Sequence, residues 1–152
     1  MTVKEFINAL EEKIPMSPNT CDCVKTGDVN KEVNRVAVAM MGTADVITRA
    51  RDWGADLLIV HEPITYDHMD PRRPDMDDVT AMKWKLADES GMVIYRYHDH
   101  AHAPSRSTDL ITEGQISAIG LHGTLEKTPY AASYILTLDK PMTPRKIYER
   151  MI

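Results

Sequence analysis

The chain has 152 residues, of which 43% are hydrophobic and 27% are charged, a composition typical of a single globular domain. Its 18 Lys and Arg against 23 Asp and Glu give a net charge of -5, which argues against a surface built to bind nucleic acid. No apolar run reaches the ~20 residues that span a bilayer, and the charged N-terminal segment has no signal-peptide core. We therefore expect a cytoplasmic protein that binds neither membranes nor nucleic acid.

Capping residues and helical spacing of apolar residues predict the helices, and short apolar runs predict the strands. In the first half these signals give a helix from Thr2 to about Pro15, a loop over 16–34, a strand over 35–41, a helix from Thr43 to Gly54 and a strand over 56–60. In the second half they give a loop over 63–75, a helix over 77–90, a strand from Met92, a helix from about Ser107 to Gly120, a strand over 132–138 and a helix over 143–152.

Strands that alternate with helices predict an α/β fold, a layered domain with a largely parallel or mixed sheet flanked by helices. The run 56–60 is apolar without alternation, as expected of a central strand that is buried on both faces. We expect one domain over 1–152. The last helix stops without a C-cap as Ile147 and Met151 establish an apolar face, so we expect the N-terminal part of a longer chain.

The two cysteines, Cys21 and Cys23, are too close in sequence for an ordinary disulfide. We interpret them as reduced thiols in the polar loop over 16–34, rather than as a redox or metal site.

Histidines and acidic residues follow two predicted strands directly. His61 and Glu62 end the strand 56–60 before Pro63, and the strand from Met92 leads into the run His98–His102, closed by Pro104. In open α/β sheets, ligands bind at the carboxyl ends of strands. The clustering therefore predicts a divalent metal site, with imidazole and carboxylate ligands that suit Zn, Mn, Fe or Ni.

The spacing of the second segment leaves the number of ions open. If 98–102 is extended, His98, His100 and His102 share one face, with about 13 Å between the first and the last. Such a segment suits two ions, or one ion with hydrogen-bonding histidines around it, unless the segment curls. His68 and His100 can be ligands or structural residues, and we interpret His122, in a Gly-flanked turn, as structural.

These segments resemble a known family. Gly54–Pro63 is similar to the strand that ends in His-His-Pro in the Nif-three-like, dinuclear-metal-centre proteins, some of which are described as type-two GTP cyclohydrolase I. Tyr97–His102 matches the family's later strand, which ends in His-x-x-x-Asp. The segment Val3–Glu5, the pair Gly27 and Asp28 and the strand 35–41 also fall in step, so the resemblance covers nearly the whole chain.

Two departures indicate a divergent branch of this family, marked by Glu-Pro and His-Asp-His. Glu62 stands in place of the second His, and His102 in place of the Asp. The resemblance implies His61, Glu62, His98 and His102 as metal ligands, two similar α/β halves and a homohexameric assembly. The family's His-x-x-x-Glu pair near the C-terminus is absent from this chain, which also points to a fragment.

The sequence leaves two metal-binding functions open, and a third alternative is a metal-free domain with a polar pocket. The first is a dinuclear metal-dependent hydrolase that activates water on a small molecule, with Glu62 or Asp99 as a proton shuttle and His100 as a further ligand. The second is a non-catalytic protein that stores, delivers or senses metal, or binds a partner.

Overall fold

The computed structural model describes residues 1–11, 14, 18–103, 107–130 and 133–152. These residues form five helices and six strands. The helices are α1 (Val3–Glu11), α2 (Ala44–Trp53), α3 (Asp78–Glu89), α4 (Leu110–Ala118) and α5 (Pro144–Tyr148). The strands are β1 (Cys23–Thr26), β2 (Val36–Met41), β3 (Leu57–Glu62), β4 (Val93–Arg96), β5 (Gly123–Lys127) and β6 (Tyr134–Leu138).

The chain divides into two compact units, Met1–His100 and Ala101–Ile152. The first unit holds a sheet in the order β1-β4-β3-β2. The strands β2, β3 and β4 run parallel, and β1 is antiparallel to β4. The predicted mixed α/β architecture is confirmed, and so is the inner position of the strand predicted over 56–60, since β3 lies between β4 and β2.

The alternation of side chains along β3 buries the strand on both faces. Leu58 and Val60 pack into a core with α2 and α3, whereas Leu57 and Ile59 pack into a second core with α1. A strand between two helical layers needs apolar residues at every position, because neither face meets water. The unbroken apolar run therefore fixes the layer structure of this unit.

Predicted helix caps are confirmed at several ends. Thr2 and Glu5 form a reciprocal capping box: the Thr2 N–H donates to Glu5 Oε2 (2.8 Å) and the Glu5 N–H donates to Thr2 Oγ1 (3.2 Å). Thr43 caps the start of α2, and Gly54 ends it in the left-handed region with φ 80°. Thr143 caps α5, with a proline in its first turn.

The polar segment 16–34 is not loop throughout, and that prediction is wrong over β1. The strand is short, half-exposed and mostly polar, Cys-Val-Lys-Thr, so it carries no apolar pattern. Its pairing with β4 defines it as a strand, and this contact is distant in sequence. The predicted ends at Pro15, Pro104 and Ala132 lie outside the described residues.

The second unit contains α4, the antiparallel pair β5-β6, and α5. The strand β5 was not predicted, because Gly-Thr-Leu-Glu-Lys is polar and largely exposed. The helix predicted over 143–152 is shorter than expected, and α5 ends at Tyr148. In the described parts of both units, every helix falls short of the length and apolar character needed to cross a membrane.

We expect Val60→Ala to lower the free energy of unfolding by about 1.5–3 kcal/mol, because Val60 is fully buried in the core with α2 and α3. Val38→Ala is the matched control on the neighbouring strand, since this valine is 75% exposed, and it should cost less than about 1 kcal/mol. Urea denaturation of both variants measures the difference. Equal losses would mean that β3 is not the buried strand.

Candidate metal centre

The parallel strands β3 and β4 deliver two histidines to the same edge of the sheet. His61 is the second-last residue of β3, and His98 comes two residues after the end of β4. Their rings stack with centroids 4.5 Å apart and planes 20° from parallel. Each ring offers a nitrogen within 4.8 Å of one on the other. The imidazoles that follow the two predicted strands are thus in contact.

Hydrogen bonds fix the tautomers of both rings. His61 Nδ1 lies 3.2 Å from the Tyr97 carbonyl, which can only accept, so Nδ1 carries the proton. His98 Nδ1 lies 3.0 Å from Asp99 Oδ1 and donates to it. Whenever either ring is neutral, its lone pair is therefore on Nε2. A backbone carbonyl or carboxylate behind Nδ1 is the usual arrangement around metal-binding histidines, so the pair fits a divalent ion.

Asp22 holds the backbone that carries His98. Its side chain is buried, and Oδ1 accepts from the N–H groups of His98 (2.6 Å) and Asp99 (2.7 Å). Oδ2 accepts from the His100 N–H (2.9 Å) and from His100 Nδ1 (2.5 Å). One carboxylate thus satisfies successive backbone donors of a segment that has left the sheet.

Asp99 makes the reverse connection. Its Oδ2 accepts from the Thr20 hydroxyl (2.8 Å) and the Cys21 N–H (2.9 Å), so the two segments hold each other. We call the mutual hydrogen bonding of 20–22 and 98–100 through Asp22 and Asp99 the aspartate clasp. Burial alone would raise the pKa of the Asp99 carboxyl. Hydrogen bonds from Cys21, His98 and Thr20 outweigh burial and hold that pKa well below its usual range, so the group is ionised at neutral pH.

The clasp also explains why the segment after β4 is not extended. The backbone from Asp99 to His102 is a turn, so His98, His100 and His102 do not share one face of a strand. Three consecutive N–H groups converge on the Asp22 carboxylate, and this convergence requires a curled backbone. The curled backbone that the spacing left open is therefore the one observed over 99–102.

The remaining histidines of this run each meet a carboxylate. His100 is buried, bonds to Asp22 through Nδ1 and stacks on Tyr97 with centroids 5.5 Å apart. His102 Nδ1 bonds to Asp109 Oδ2, and Asp109 also caps α4 by accepting from the Thr112 N–H (2.8 Å). Burial would raise the pKa of Asp109, but the bonds from His102 and Thr112 lower it below its usual value.

His68 has the opposite tautomer. Arg96, fully buried on β4, donates through Nη2 to His68 Nδ1 (3.4 Å), so the neutral ring carries its proton on Nε2. Arg96 also donates to the carbonyls of His61 (3.2 Å, from Nε) and His68 (from Nη1). With its lone pair committed to Arg96, His68 is a neighbour of the site rather than a metal ligand, and its ring lies edge-on to His98 at 5.3 Å.

Asp70 shapes the loop that carries His68. Its carboxylate accepts from the N–H groups of Ile64 (2.8 Å) and Thr65 (2.7 Å) and pairs with Lys25 Nζ at 3.6 Å. The Asp70 backbone has φ 50°, in the left-handed region that a non-glycine residue seldom adopts. The carboxylate bonds hold this conformation and return the loop towards the sheet.

A second convergence of possible ligands lies beside the first. Cys21 Sγ, a nitrogen of His98 and an oxygen of Asp99 are all within 4.8 Å of one another. Burial raises the pKa of the Cys21 thiol to about 11, so it is protonated at neutral pH. The predicted ligand Glu62 is half-buried at the end of β3, and among the described residues it belongs to neither convergence.

Sequence reasoning missed Asp22, Cys21 and Arg96. The segment of Asp22 and Cys21 is polar and bonds to residues 76–79 positions away, so no local pattern marks it. Arg96 did leave a signal: an arginine in an apolar strand that leads directly into a histidine cluster. A buried charge at that point requires acceptors, and the structure provides them as the carbonyls of His61 and His68.

The profile of the Duf34/NIF3 (NGG1p interacting factor 3) family matches residues 1–151. The chain belongs to this family. The family resemblance seen in the sequence is thereby confirmed. No curated protein matches the chain.

Three solved structures share the fold of this Duf34/NIF3 chain. Reduced HcgD from Methanocaldococcus jannaschii superposes with a TM-score of 0.60 at 22% identity, over 83% of this chain and 49% of its own. The protein ybgI, of unknown function, gives a TM-score of 0.71 at 15% identity over 99% of this chain and 59% of its own. A NIF3-related protein of Bacillus cereus gives 0.58 at 23% identity, over 80% and 33%. The chain thus spans between a third and three fifths of the length of these proteins.

We expect Asp22→Asn to lower the free energy of unfolding of the metal-free protein by about 2–3 kcal/mol. The amide of asparagine brings an NH₂ group against backbone N–H donors that now share a carboxylate. Asp45→Asn is the control, because Asp45 is an exposed partner of Arg49 and should change stability by less than about 0.5 kcal/mol. Urea denaturation of the two variants measures both values, and similar values would contradict the role of the clasp.

Proposed function

We propose that this Duf34/NIF3 chain is part of a divalent-metal-dependent hydrolase that acts on a small molecule. The observation that carries the proposal is the stacked pair His61 and His98, with the proton of each ring held on Nδ1. The rings present Nε2 lone pairs at the carboxyl ends of neighbouring parallel strands, where α/β proteins bind their ligands.

The proposed ligand set extends beyond this pair. His102 is four residues after His98. Like His98 it bonds to a carboxylate through Nδ1, here that of Asp109, which leaves Nε2 of the neutral ring to carry the lone pair. Glu62, next to His61 in β3, is proposed as a ligand that reaches a second ion. His100 was also a candidate ligand, and its burial and its bond to Asp22 favour a supporting role beside His98.

A divalent ion held by these side chains would lower the pKa of a bound water and polarise a substrate oxygen. Asp99 is proposed as one proton carrier, because its carboxylate is ionised and its side chain is 31% exposed beside His98. Glu62 is the second proposed proton carrier. His68 presents an Nε2–H donor, and a donor of this kind can orient an anionic or carbonyl group of a bound substrate.

The proposal includes two ions of Zn, Mn, Fe or Ni, a small-molecule substrate, a homohexamer and a cytoplasmic location. The ligand types support the choice of metals, the family resemblance supports the hexamer, and the composition supports the location. A non-catalytic protein that stores or delivers metal would use the same ligands. Metal binding without hydrolysis of any of a panel of phosphate esters, cyclic amides and nucleotides would favour that alternative.

We expect His61→Ala and His98→Ala each to abolish metal binding at one position, because each removes an imidazole from the stacked pair. His102→Ala should mainly weaken the binding of the other ion. Elemental analysis of protein purified without chelators or an affinity tag measures the stoichiometry, with two ions per chain expected for the unmutated protein.

His122→Ala is the matched control for these variants. His122 is an exposed histidine outside the cluster, so its loss should leave the metal content unchanged. If both His61→Ala and His98→Ala bind as much metal as the unmutated protein, the ligand assignment is wrong, and the hydrolase mechanism that depends on it is contradicted.

A further inference from the structure

The polar segment before β1 brings a thiol to the edge of the histidine cluster. Cys21 is 4% exposed, and its Sγ lies 3.4 Å from Asp99 Oδ1. The same oxygen lies 3.0 Å from His98 Nδ1. Ligand atoms around one zinc-sized ion are about 3.5 Å apart, since metal–sulfur and metal–nitrogen bonds are ~2.3 and ~2.1 Å. The sulfur–oxygen and nitrogen–oxygen distances are therefore close to those of chelating ligands, and ligand atoms of all three residues lie within 4.8 Å of one another.

We propose that Cys21 Sγ, Asp99 Oδ1 and His98 Nδ1 form a second cation site, specific for thiophilic ions such as Zn²⁺ or Co²⁺. The site uses His98 but needs neither His61 nor hydrolysis, so it goes beyond the proposed function. Side chains of His98 and Asp99, 19% and 31% exposed, provide the approach for the ion.

The protein framework holds these three groups in place. Asp99 is fixed by Thr20 and the Cys21 N–H through Oδ2, so Oδ1 is directed at Sγ and Nδ1. Asp22 holds the backbone of His98 and Asp99 from the other side. The aspartate clasp therefore positions the ligands before an ion arrives, which reduces the conformational entropy lost on binding.

Binding exchanges protons for the ion. The S–H bond of Cys21 breaks, its proton passes to solvent and a sulfur–metal bond forms. The Nδ1 proton of His98 is given up as Nδ1 binds, and the neutral ring takes a proton on Nε2 instead. One proton per ion is therefore released in net terms.

The exchange has a consequence for His98. As a neutral imidazole it serves one ion at a time, so the position beside Cys21 and the position beside His61 compete for this ring. Thiolate favours Zn²⁺ and Co²⁺ over harder ions, whereas Mn²⁺ prefers ligands without sulfur. The identity of the ion thus decides which side of His98 is filled.

Titration of the untagged chain with Co²⁺ tests the proposal, because a thiolate ligand gives a sulfur-to-cobalt charge-transfer band in the near ultraviolet. We expect this band in the unmutated protein and its loss in Cys21→Ser. Cys23→Ser is the matched control, since Cys23 is an exposed thiol two residues away and the band should persist. His61→Ala should also keep the band, because it removes only the competing position.

X-ray absorption of the zinc-loaded, unmutated protein gives an answer that does not depend on the folding of any variant. We expect a sulfur shell at ~2.3 Å. A shell of nitrogen and oxygen alone, a band of full strength in Cys21→Ser, or no binding of Co²⁺ would each overturn the site. A thiolate band with Co²⁺ together with unchanged Mn²⁺ binding in His61→Ala would instead contradict the proposed function and leave this site standing, because Mn²⁺ does not favour the position beside Cys21.

Discussion

The hydrogen bonds of Asp22 are the constraint on which the candidate site depends. The chain leaves β4 after Arg96. The Tyr97 N–H still donates to the Val60 carbonyl on β3 (2.8 Å), whereas the next three N–H groups turn away from the sheet. A buried backbone donor without an acceptor costs ~1–3 kcal/mol, so a segment at the edge of a core needs acceptors from elsewhere. Asp22 provides them for His98, Asp99 and His100, and in doing so sets where the His98 ring stands.

A second buried polar residue performs the same task for the other strand. Arg96 lies within the sheet, and its guanidinium donates to the carbonyls of His61 and His68. These hydrogen bonds offset part of the free energy that burying the positive charge costs. Asp22 and Arg96 together hold the backbone around both histidines of the stacked pair. Asp22 and Arg96 thus support the site, although neither is among the proposed metal ligands.

The two apolar cores stabilise the first unit and so offset the free energy that burying this polar network costs. The strand β3 is buried on both faces, which gives the sheet a rigid edge from which His61 and Glu62 project. Precise placement of ligands requires a backbone that does not move when charge is added or removed. The same framework places ligand atoms of Cys21, Asp99 and His98 within 4.8 Å of one another.

Sequence patterns by themselves determined the layers, most helix ends and the two segments that supply His61 and His98. These features follow from local rules: apolar runs, capping residues such as Thr43, and histidines directly after strands. Tertiary structure alone decided that β1 exists, that 99–102 is a turn, and that Cys21 and Asp22 stand beside the cluster. The reason is physical: polar residues such as Asp22 and Arg96 gain their roles from partners dozens of residues away, and hydrogen bonds of that kind leave no periodic trace in the chain.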